Sequence, residues 1–393
     1  MSPDPVVIIG MARTPMGAFQ GAFSSVTAPE LGASAIKGAM DDAGVKPESV
    51  EQALMGCVLP AGQGQAPARQ AAIYAGLGQH VEATTVNKMC GSGMQSAIMA
   101  HDAIKAGSID VAVAGGMESM TNAPYLLPKA RGGMRMGNQQ VVDSMMHDGL
   151  TDAYAGGAMG VFADKIAAEY QFTREQQDAY AIESVARAKA AQENGAFDRE
   201  MTPVTVKGRK GDTIVSEDEG PKNARPEKIP SLRAVFTKDG TVTAANASSI
   251  NDGAAALVMM KKSQAIKEGH HILAEVVSHA AHAHAPEYFT TAPVNAMKKA
   301  LKKADWEASD VELWEINEAF AVVPMIAMQE LGLDHAKVNV NGGGCVLGHP
   351  IGASGARIIT TLIAAMEARN AHKGVASLCI GGGEATAVCL QRG

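Results

Sequence analysis

The sequence predicts an α/β fold in which two similar halves carry one long insertion. Short apolar runs rich in β-branched residues alternate with segments of helical periodicity, which is typical of strands buried between layers of helices. Matching segments recur in the same order near both ends of the chain, which predicts that one βα unit occurs twice. The runs that predict strands are residues 6–9, 111–113, 257–260, 274–277, 313–316, 376–380 and 387–390.

The predicted duplication depends on paired segments with shared landmarks. These landmarks are a Thr-Ala-Pro helix start, a helix start made of small residues, and an apolar run that ends in glycines. Because only two copies occur, the pattern indicates a doubled domain rather than a solenoid. The pairs are 27–56 with 291–317, 91–100 with 353–365, and 111–119 with 376–385.

The segment between the copies differs in character and predicts an insertion that covers one face of the doubled body, where substrates are often held. Within it, TREQ (173–176) is a capping-box pattern that predicts a long helix ending near 193–195. Residues 206–230 predict a loop with a hairpin. The predicted domains are an N-terminal half (1–119 with 246–269), a loop domain (120–245) and a C-terminal half (270–393).

Composition limits the partners and the compartment that we expect. A formal charge of −7 without a long basic run disfavours a nucleic-acid partner. The sequence has no window near the ~18 apolar residues of a membrane span. The five cysteines are odd in number and lack CxxC spacing, which predicts reduced thiols rather than disulfides or a zinc ribbon. With no targeting pattern at the N-terminus, the expected location is the cytoplasm.

Cys90, in the stretch NKMCGSGMQSA, is the first candidate catalytic residue. Gly91 and Gly93 permit a tight turn, and residues 94–106 predict a helix that Gly107 ends. Unpaired N–H groups at a helix start stabilise an anion, so this pattern predicts a nucleophilic thiolate near neutral pH. A buried, unreactive thiol fits the same local pattern.

Two further candidates lie near glycines in the C-terminal half. His349 lies in the glycine-rich loop GHPIGASGAR, with few sequence neighbours to bury its ring, which favours a general base over a structural histidine. Cys379 ends a predicted strand before three glycines whose N–H groups suit an oxyanion hole, although a cysteine in an apolar strand is usually core.

Asn317 and Glu318 follow another predicted strand and are interpreted either as helix caps or as groups that position water or substrate.

Two other sequence patterns give weaker support for a binding site. His279, His282 and His284 give no clean pair on one helix face and have no carboxylate set beside them, so a metal site is not predicted. GQGQAP (62–67) lacks the third glycine of a dinucleotide-binding fingerprint.

Taken together, NKMCGSGMQSA, NEAFA, GHPIGASGAR and CIGGG resemble the thiolase family in order and approximate spacing. The resemblance covers nearly the whole chain, including TVTAANASSINDGAAA (241–256). It implies a five-layer αβαβα fold of two similar halves, with a loop domain that receives coenzyme A.

The resemblance also implies an acetyl-CoA C-acetyltransferase that reversibly condenses two acetyl-CoA into acetoacetyl-CoA and CoA. Cys90 would be acylated, and His349 would activate its thiol. With a water held by Asn317, His349 would also bind the thioester oxygen of the second acyl group. Cys379 would move the α-proton, and the N–H groups of Cys90 and Gly381 would form the other oxyanion hole.

No cofactor is implied, because coenzyme A is a substrate, and the family suggests a homodimer or homotetramer. The residues implied to line the pantetheine channel are Met159, Phe236, Ser248, Ala319 and Phe320, with Lys222 and Arg225 as candidates for the phosphates. The chain departs from the family pattern at Ala158, Ala245, Ser249 and Glu384.

Three other functions remain open at this point. A broader-range 3-ketoacyl-CoA thiolase of fatty-acid degradation would use the same residues. A cysteine hydrolase would need only Cys90 and His349, and would leave Cys379 without a role. A non-enzymatic protein that binds coenzyme A would form no acyl-enzyme.

Overall fold

The structure is a computed structural model that describes residues 4–393. Its main feature is one ten-stranded sheet, accompanied by two separate two-stranded hairpins. The strands are β1 (Val6–Arg13), β2 (Gly17–Ala18), β3 (Gln52–Gly56), β4 (Glu82–Val86), β5 (Val111–Ser119), β6 (Tyr125–Leu126), β7 (Val142–Asp143), β8 (Val204–Val206), β9 (Thr213–Val215), β10 (Asn251–Lys261), β11 (Ala274–Ala283), β12 (Leu313–Ile316), β13 (Lys373–Ile380) and β14 (Glu384–Gln391).

Helices fill the connections between these strands. The α-helices are α1 (Ala28–Ala43), α2 (Pro67–Tyr74), α3 (Ser92–Ala106), α4 (Met159–Glu169), α5 (Arg174–Glu193), α6 (Glu219–Asn223), α7 (Lys262–Glu268), α8 (Ala292–Ala304), α9 (Val322–Leu331), α10 (Gly344–Leu347) and α11 (Ser354–Ala368). Residues Met145–Leu150 form one π-helical turn. None of the helices in residues 4–393 has the length and apolar character needed to cross a membrane.

The strand order confirms the predicted duplication. One part of the sheet runs β4-β3-β5-β10-β1, and the other runs β12-β13-β14-β11. Each part holds parallel pairs at its outer end and antiparallel pairs toward the middle of the sheet. Val338 bridges Trp314 in parallel, at the position that corresponds to β4 in the first part. The two parts join where β1 pairs with β11 over a short antiparallel stretch.

The helices complete five layers. Helices α1 and α2 pack on the outer face of the first part, and α8 and α9 pack on the outer face of the second. Helices α3 and α11 lie between the two parts and pack against each other. A Cβ on Gly93 would lie 2.8 Å from Ala356 N, and one on Gly355 would lie 2.3 Å from Met94 N. Glycines at these two positions therefore let the starts of the central helices approach closely.

The region between residues 120 and 245 forms small hairpins and helices beside the large sheet. Helix α5 begins with a capping box between Thr173 and Gln176, as the sequence predicts. The antiparallel hairpin of β8 and β9 confirms the hairpin predicted near residues 206–230. Arg13, at the end of β1, anchors this region because its guanidinium lies 2.5 Å from Glu200 Oε1 and 2.8 Å from Asp218 Oδ1, with all three side chains buried.

Every strand predicted from the sequence is present, although most of the observed strands are longer than the apolar runs that predicted them. Strands β3 and β4 were not predicted as separate elements. Residues of β4 alternate between exposed and half-buried because this strand forms one edge of the sheet, so its composition (EATTV) carries little apolar signal. Helix α3 ends at Gly107, whose φ of 76° permits the predicted stop.

Candidate active site

Cys90 lies in the tight turn between β4 and α3. The preceding residue, Met89, has a φ of 47°, in the left-handed region that side chains other than glycine seldom adopt. The N–H of Lys88 donates to Ser92 Oγ at 2.9 Å, and the N–H of Gly91 donates to the Lys88 carbonyl at 3.0 Å. Because α3 begins at Ser92, the thiol lies just before the first turn of a helix, as predicted.

The ionisation of Cys90 differs from the prediction. Burial raises the pKa of the Cys90 thiol to about 11, although hydrogen bonds from the main-chain N–H groups of Gly381 and Cys90 act in the opposite direction. The expectation of a thiolate near neutral pH is therefore wrong for this site, because the loss of solvation outweighs the stabilisation at the helix start. Cys90 needs a base to remove its proton.

His349 is buried rather than loosely held. Only 5% of its surface is exposed, so the expectation that its loop could not bury the ring is wrong. The loop folds inward between the two halves, where the Gly352 N–H donates to Glu118 Oε2 at 2.8 Å. The ring is thus fixed by contacts that are distant in sequence.

Hydrogen bonding defines the tautomer of His349. Its Nδ1 lies 2.6 Å from Ser354 Oγ, and that hydroxyl donates to the Pro350 carbonyl at 2.9 Å. The hydroxyl therefore accepts from Nδ1–H, which leaves the lone pair on Nε2. Within residues 4–393, Nε2 is buried without a hydrogen-bond partner. Burial, together with the charge of Arg357, lowers the pKa of His349 to about 3, so the ring is a neutral acceptor.

Cys379 is the other buried thiol of the site. It lies in β13 one residue before the strand ends and is 1% exposed. Burial raises the pKa of the Cys379 thiol well above its usual value, and a charge on Cys90 raises it further. The two sulfurs therefore oppose each other's ionisation, so that one thiolate at a time is favoured.

One cavity of about 410 Å³ joins these groups. Cys90, His349, Cys379 and Gly381 all contribute to its wall. Two sulfurs and an imidazole from different parts of the duplicated sheet thus meet at one space, at the ends of strands where ligands bind in α/β proteins.

The remaining wall is mostly apolar. All five residues that the resemblance implied for the pantetheine channel line the cavity, namely Met159, Phe236, Ser248, Ala319 and Phe320. The Phe320 ring lies edge-to-face with Phe236 and with Phe289, each at 6.1 Å between centroids. Lys222 and Arg225 are exposed and do not line the cavity; Lys222 borders a separate surface depression.

Asn317 lies beside His349 rather than in the cavity wall. Its Nδ2 is 3.5 Å from His349 Nδ1, and its Oδ1 is 3.5 Å from Arg357 Nη2. The first contact joins two N–H donors in the tautomer assigned to His349 and is therefore not a hydrogen bond, and the second is at the long limit for one. The predicted water that Asn317 would hold stays a prediction.

Glu318, interpreted from the sequence as a cap or a functional group, is instead a buried structural acceptor. Its carboxylate accepts from Tyr180 and Ser184 of α5 at 2.9 and 2.8 Å, and from the Cys345 N–H at 3.0 Å. It therefore holds the insertion against the loop that leads to His349. Helix α9 begins after Ala321, so neither Asn317 nor Glu318 caps it.

Sequence reasoning missed two residues that shape the site. Glu118, at the end of β5, accepts main-chain N–H bonds from Val58, Leu59 and Gly352, at 3.0, 3.1 and 2.8 Å, and so joins the two halves beside the His349 loop. Ser354 was overlooked although it follows His349 closely in the quoted motif. The role of Ser354 could have been predicted, because a polar residue about one helical turn after a loop histidine is placed to contact its ring. No sequence pattern indicated the role of Glu118.

Comparison with known proteins agrees with this architecture. Residues 6–263 match the family described as "Thiolase, N-terminal domain", and residues 270–392 match "Thiolase, C-terminal domain". The chain therefore belongs to the thiolase family.

Its relatives span the full chain. A Cupriavidus necator protein named acetyl-CoA acetyltransferase is 49% identical over 389 residues, which cover 98% of this chain and 99% of that protein. A Rhizobium meliloti protein of the same name is 47% identical over 393 residues, with 100% of both chains covered. The crystal structure of the Bacillus anthracis acetyl-CoA acetyltransferase superimposes with a TM-score of 0.96 at 39% identity, covering 99% of this chain and 98% of that one.

Proposed function

We propose that this protein is an acyltransferase of the acetyl-CoA C-acetyltransferase type, which reversibly condenses two acetyl-CoA into acetoacetyl-CoA and CoA. The names of its full-length relatives support this activity. The observation that carries the proposal is that Cys90, His349 and Cys379 share one cavity. A hydrolase needs one nucleophile and one base, whereas carbon–carbon bond formation also needs a group that moves an α-proton.

The first half-reaction transfers an acetyl group to Cys90. His349 Nε2 takes the thiol proton, and Sγ attacks the thioester carbonyl of acetyl-CoA. The C–S bond to coenzyme A then breaks, and the CoA sulfur leaves with the proton that the imidazole returns. Because the Cys90 thiol is neutral at rest, the neutral imidazole is the group that makes this step possible.

The second half-reaction uses Cys379. Burial is the main cause of the raised pKa of Cys379, and a charge on Cys90 would raise it further; acetylated Cys90 can no longer ionise, so this second effect is absent. The Cys379 thiol first gives its own proton to His349 Nε2, and the resulting thiolate takes the α-proton of a second acetyl-CoA. The enolate carbon attacks the acetyl carbonyl on Cys90, and the C–S bond to Cys90 breaks. The Cys90 sulfur leaves with the proton that the imidazole returns, and acetoacetyl-CoA is released. The N–H groups of Cys90 and Gly381 would stabilise developing oxyanion charge, where one donor typically contributes ~10²–10³-fold in rate.

We propose short acyl groups as substrates, with coenzyme A as a substrate and no further cofactor. The rings of Phe236, Phe289 and Phe320 line the same cavity as the two thiols and would limit the space for an acyl chain. Met159 and Phe236 would contact the pantetheine arm, and Ser248 and Ala319 would flank it. Lys222 and Arg225 are proposed to contact the phosphates at the surface.

We also propose that the protein works in lipid metabolism in the cytoplasm as a homodimer or homotetramer. All five cysteines are free thiols, and the reaction requires two of them reduced, which suits a reducing compartment.

The proposal is tested by incubating the protein with acetoacetyl-CoA and measuring its intact mass. An acetyl adduct that maps to Cys90 and is removed by coenzyme A supports the transferase. Release of a free acid without transfer to coenzyme A would indicate a hydrolase; this acid is acetoacetate if the thioester is hydrolysed and acetate if the carbon–carbon bond is cleaved first. The absence of both an adduct and a free acid would indicate a binding protein. Thiolysis rates over 3-ketoacyl-CoA substrates of increasing length test the chain-length proposal; equal kcat/KM values for long chains would favour a broader-range thiolase.

A further inference from the structure

A second cluster of reactive side chains lies where the two halves meet, apart from the cavity wall. His101 and Asp102 lie on α3 in the first half, and His279 lies on β11 in the second. One ligand atom from each of the three lies within 4.8 Å of the other two. Because 177 residues separate Asp102 from His279, no local sequence pattern predicted a carboxylate partner for this histidine.

The three side chains converge on one point. Asp102 Oδ1 lies 2.9 Å from His101 Nδ1 and 2.9 Å from His279 Nε2. The two rings meet edge-to-face with centroids 4.9 Å apart, so their nitrogens approach the carboxylate from different directions. Ligand atoms around a tetrahedral zinc ion with bonds of ~2.0–2.1 Å are roughly 3.3 Å apart. An outward rotation of the exposed Asp102 side chain would lengthen its two 2.9 Å contacts toward this value, and the two ring nitrogens, which lie within 4.8 Å of each other, would need to move closer to reach it.

The pKa shifts of two members of the cluster are compatible with metal binding, which requires neutral imidazoles and an ionised carboxylate. Burial lowers the pKa of His101. Burial acts in the opposite direction on Asp102, but hydrogen bonds from His101 and His279 lower the pKa of that carboxyl. Two positive groups lie close to the cluster: Lys105, whose charge also lowers the pKa of His101, and Lys303, whose ammonium lies 2.9 Å from the His279 carbonyl.

We propose that His101, Asp102 and His279 bind one divalent transition-metal ion, with Zn²⁺ as the ion best matched to the donors. Two imidazole nitrogens and one carboxylate oxygen suit zinc rather than the hard cations Ca²⁺ and Mg²⁺, which select oxygen ligands. Water completes the tetrahedron, because Asp102 is on the solvent side. The ion joins a helix of one half to a strand of the other, so its binding stabilises their contact.

The neighbouring histidines are engaged elsewhere and provide a matched control. His282 Nδ1 lies 3.0 Å from the Lys299 ammonium, and His284 Nε2 lies 2.8 Å from the Tyr288 carbonyl. His282 lies on the same strand as His279, so His282→Ala removes an equivalent ring without removing a proposed ligand.

The test uses full-length protein whose cavity thiols have first been alkylated with iodoacetamide. Co²⁺ is titrated into this protein and its binding is followed by visible absorption. Zn²⁺ is then added as a competitor. We expect one equivalent to bind to the wild type and to His282→Ala. His279→Ala and Asp102→Asn should each bind at least ~10-fold more weakly, since even groups that only support metal ligands cost about 10–100-fold. Excess Zn²⁺ should raise the Tm of the wild type but not of His279→Ala.

The proposal is overturned if wild-type protein binds neither ion at millimolar concentration, or if both ligand variants bind as tightly as the wild type. If His279→Ala fails to fold, Asp102→Asn decides alone, because its side chain keeps the size of the original and is 59% exposed.

Discussion

His349 Nδ1 lies 2.6 Å from Ser354 Oγ, and this contact fixes the ring nitrogen that is free to accept a proton. Ser354 is the first residue of α11, and its hydroxyl also donates to the Pro350 carbonyl one turn earlier. The start of a central helix therefore orients the proposed base through a single hydroxyl.

Replacing this hydroxyl should impair acylation without unfolding the protein. In Ser354→Ala, we expect the rate of Cys90 acylation to fall roughly 5-fold, since a typical net hydrogen bond contributes ~1 kcal/mol. KM should change little, and the rate is measured by single-turnover mass spectrometry. Ser96→Ala, which removes a buried hydroxyl bonded to a carbonyl within α3, is the matched control. An equal loss in both variants would remove Ser354 from the positioning of His349.

The pH dependence of Cys90 reactivity should lack a step near the usual pKa of histidine. The pKa of His349 is lowered to about 3 and that of Cys90 is raised to about 11, so the neutral pair is the main form between these values. Alkylation of Cys90 by iodoacetamide should therefore be nearly constant from about pH 5 to 8, because the base form is never lost in that range. In His349→Asn, the rate should instead be lower by ~10²–10⁴-fold at neutral pH and rise with pH. A wild-type step between pH 6 and 7 would show that the imidazole titrates normally.

Cys379 should be required for proton exchange and not for acylation. Cys379→Ala should still form the acetyl adduct on Cys90 but fail to exchange the α-protons of acetyl-CoA with D₂O, followed by NMR. Cys389→Ala is the control, because Cys389 is a buried cysteine of the adjacent strand β14 that does not line the cavity. Normal exchange in Cys379→Ala would exclude this sulfur as the base.

An ion pair between Lys88 and Glu384 joins the Cys90 turn to the start of β14, just after the glycines that follow Cys379. The two side chains are 24% and 36% exposed, so their pair contributes only ~0–1 kcal/mol to stability. We expect Glu384→Gln to lower kcat several-fold with an unchanged Tm. The reason is that the turn holding Cys90 and the glycine turn after Cys379 lose the ion pair between them.

The reversed pair, Lys88→Glu with Glu384→Lys, should recover part of this loss. Asp212→Asn, which breaks the exposed pair with Lys207 in the insertion, should leave kcat unaltered. If kcat of this double variant is no higher than that of Lys88→Glu or Glu384→Lys alone, the ion pair has no role in positioning the catalytic residues.

The ring of Phe236 should limit acyl length. Its atoms fill the space beside Gly160, where an added Cβ would lie 2.2 Å from the ring. Phe236→Ala should therefore raise the kcat/KM for longer 3-ketoacyl-CoA substrates relative to acetoacetyl-CoA, measured as thiolysis rates. An unchanged ratio would place the acyl chain elsewhere in the cavity.

The sequence predicted the features that local pattern encodes. The duplication, the long helix after Thr173 and the turn before α3 follow from periodicity, capping residues and glycines, and the structure confirms them. The pKa shifts of Cys90 and His349 arise first from burial, with smaller effects from Glu118 on Cys90 and from Arg357 on His349. Tertiary folding alone brings these groups together, as it brings Glu118 to the loop that holds His349. The cluster of His101, Asp102 and His279 was missed for the same reason.

The central claim is that the sulfurs of Cys90 and Cys379 reach the same two-carbon fragment. 1,3-Dibromoacetone, a short reagent that alkylates two thiols, tests this directly when the treated protein is digested and its peptides are mapped by mass. We predict one bridged peptide pair that joins residues 90 and 379, and its loss when acetoacetyl-CoA acylates the protein first. Single, unbridged adducts on the two cysteines would contradict the claim.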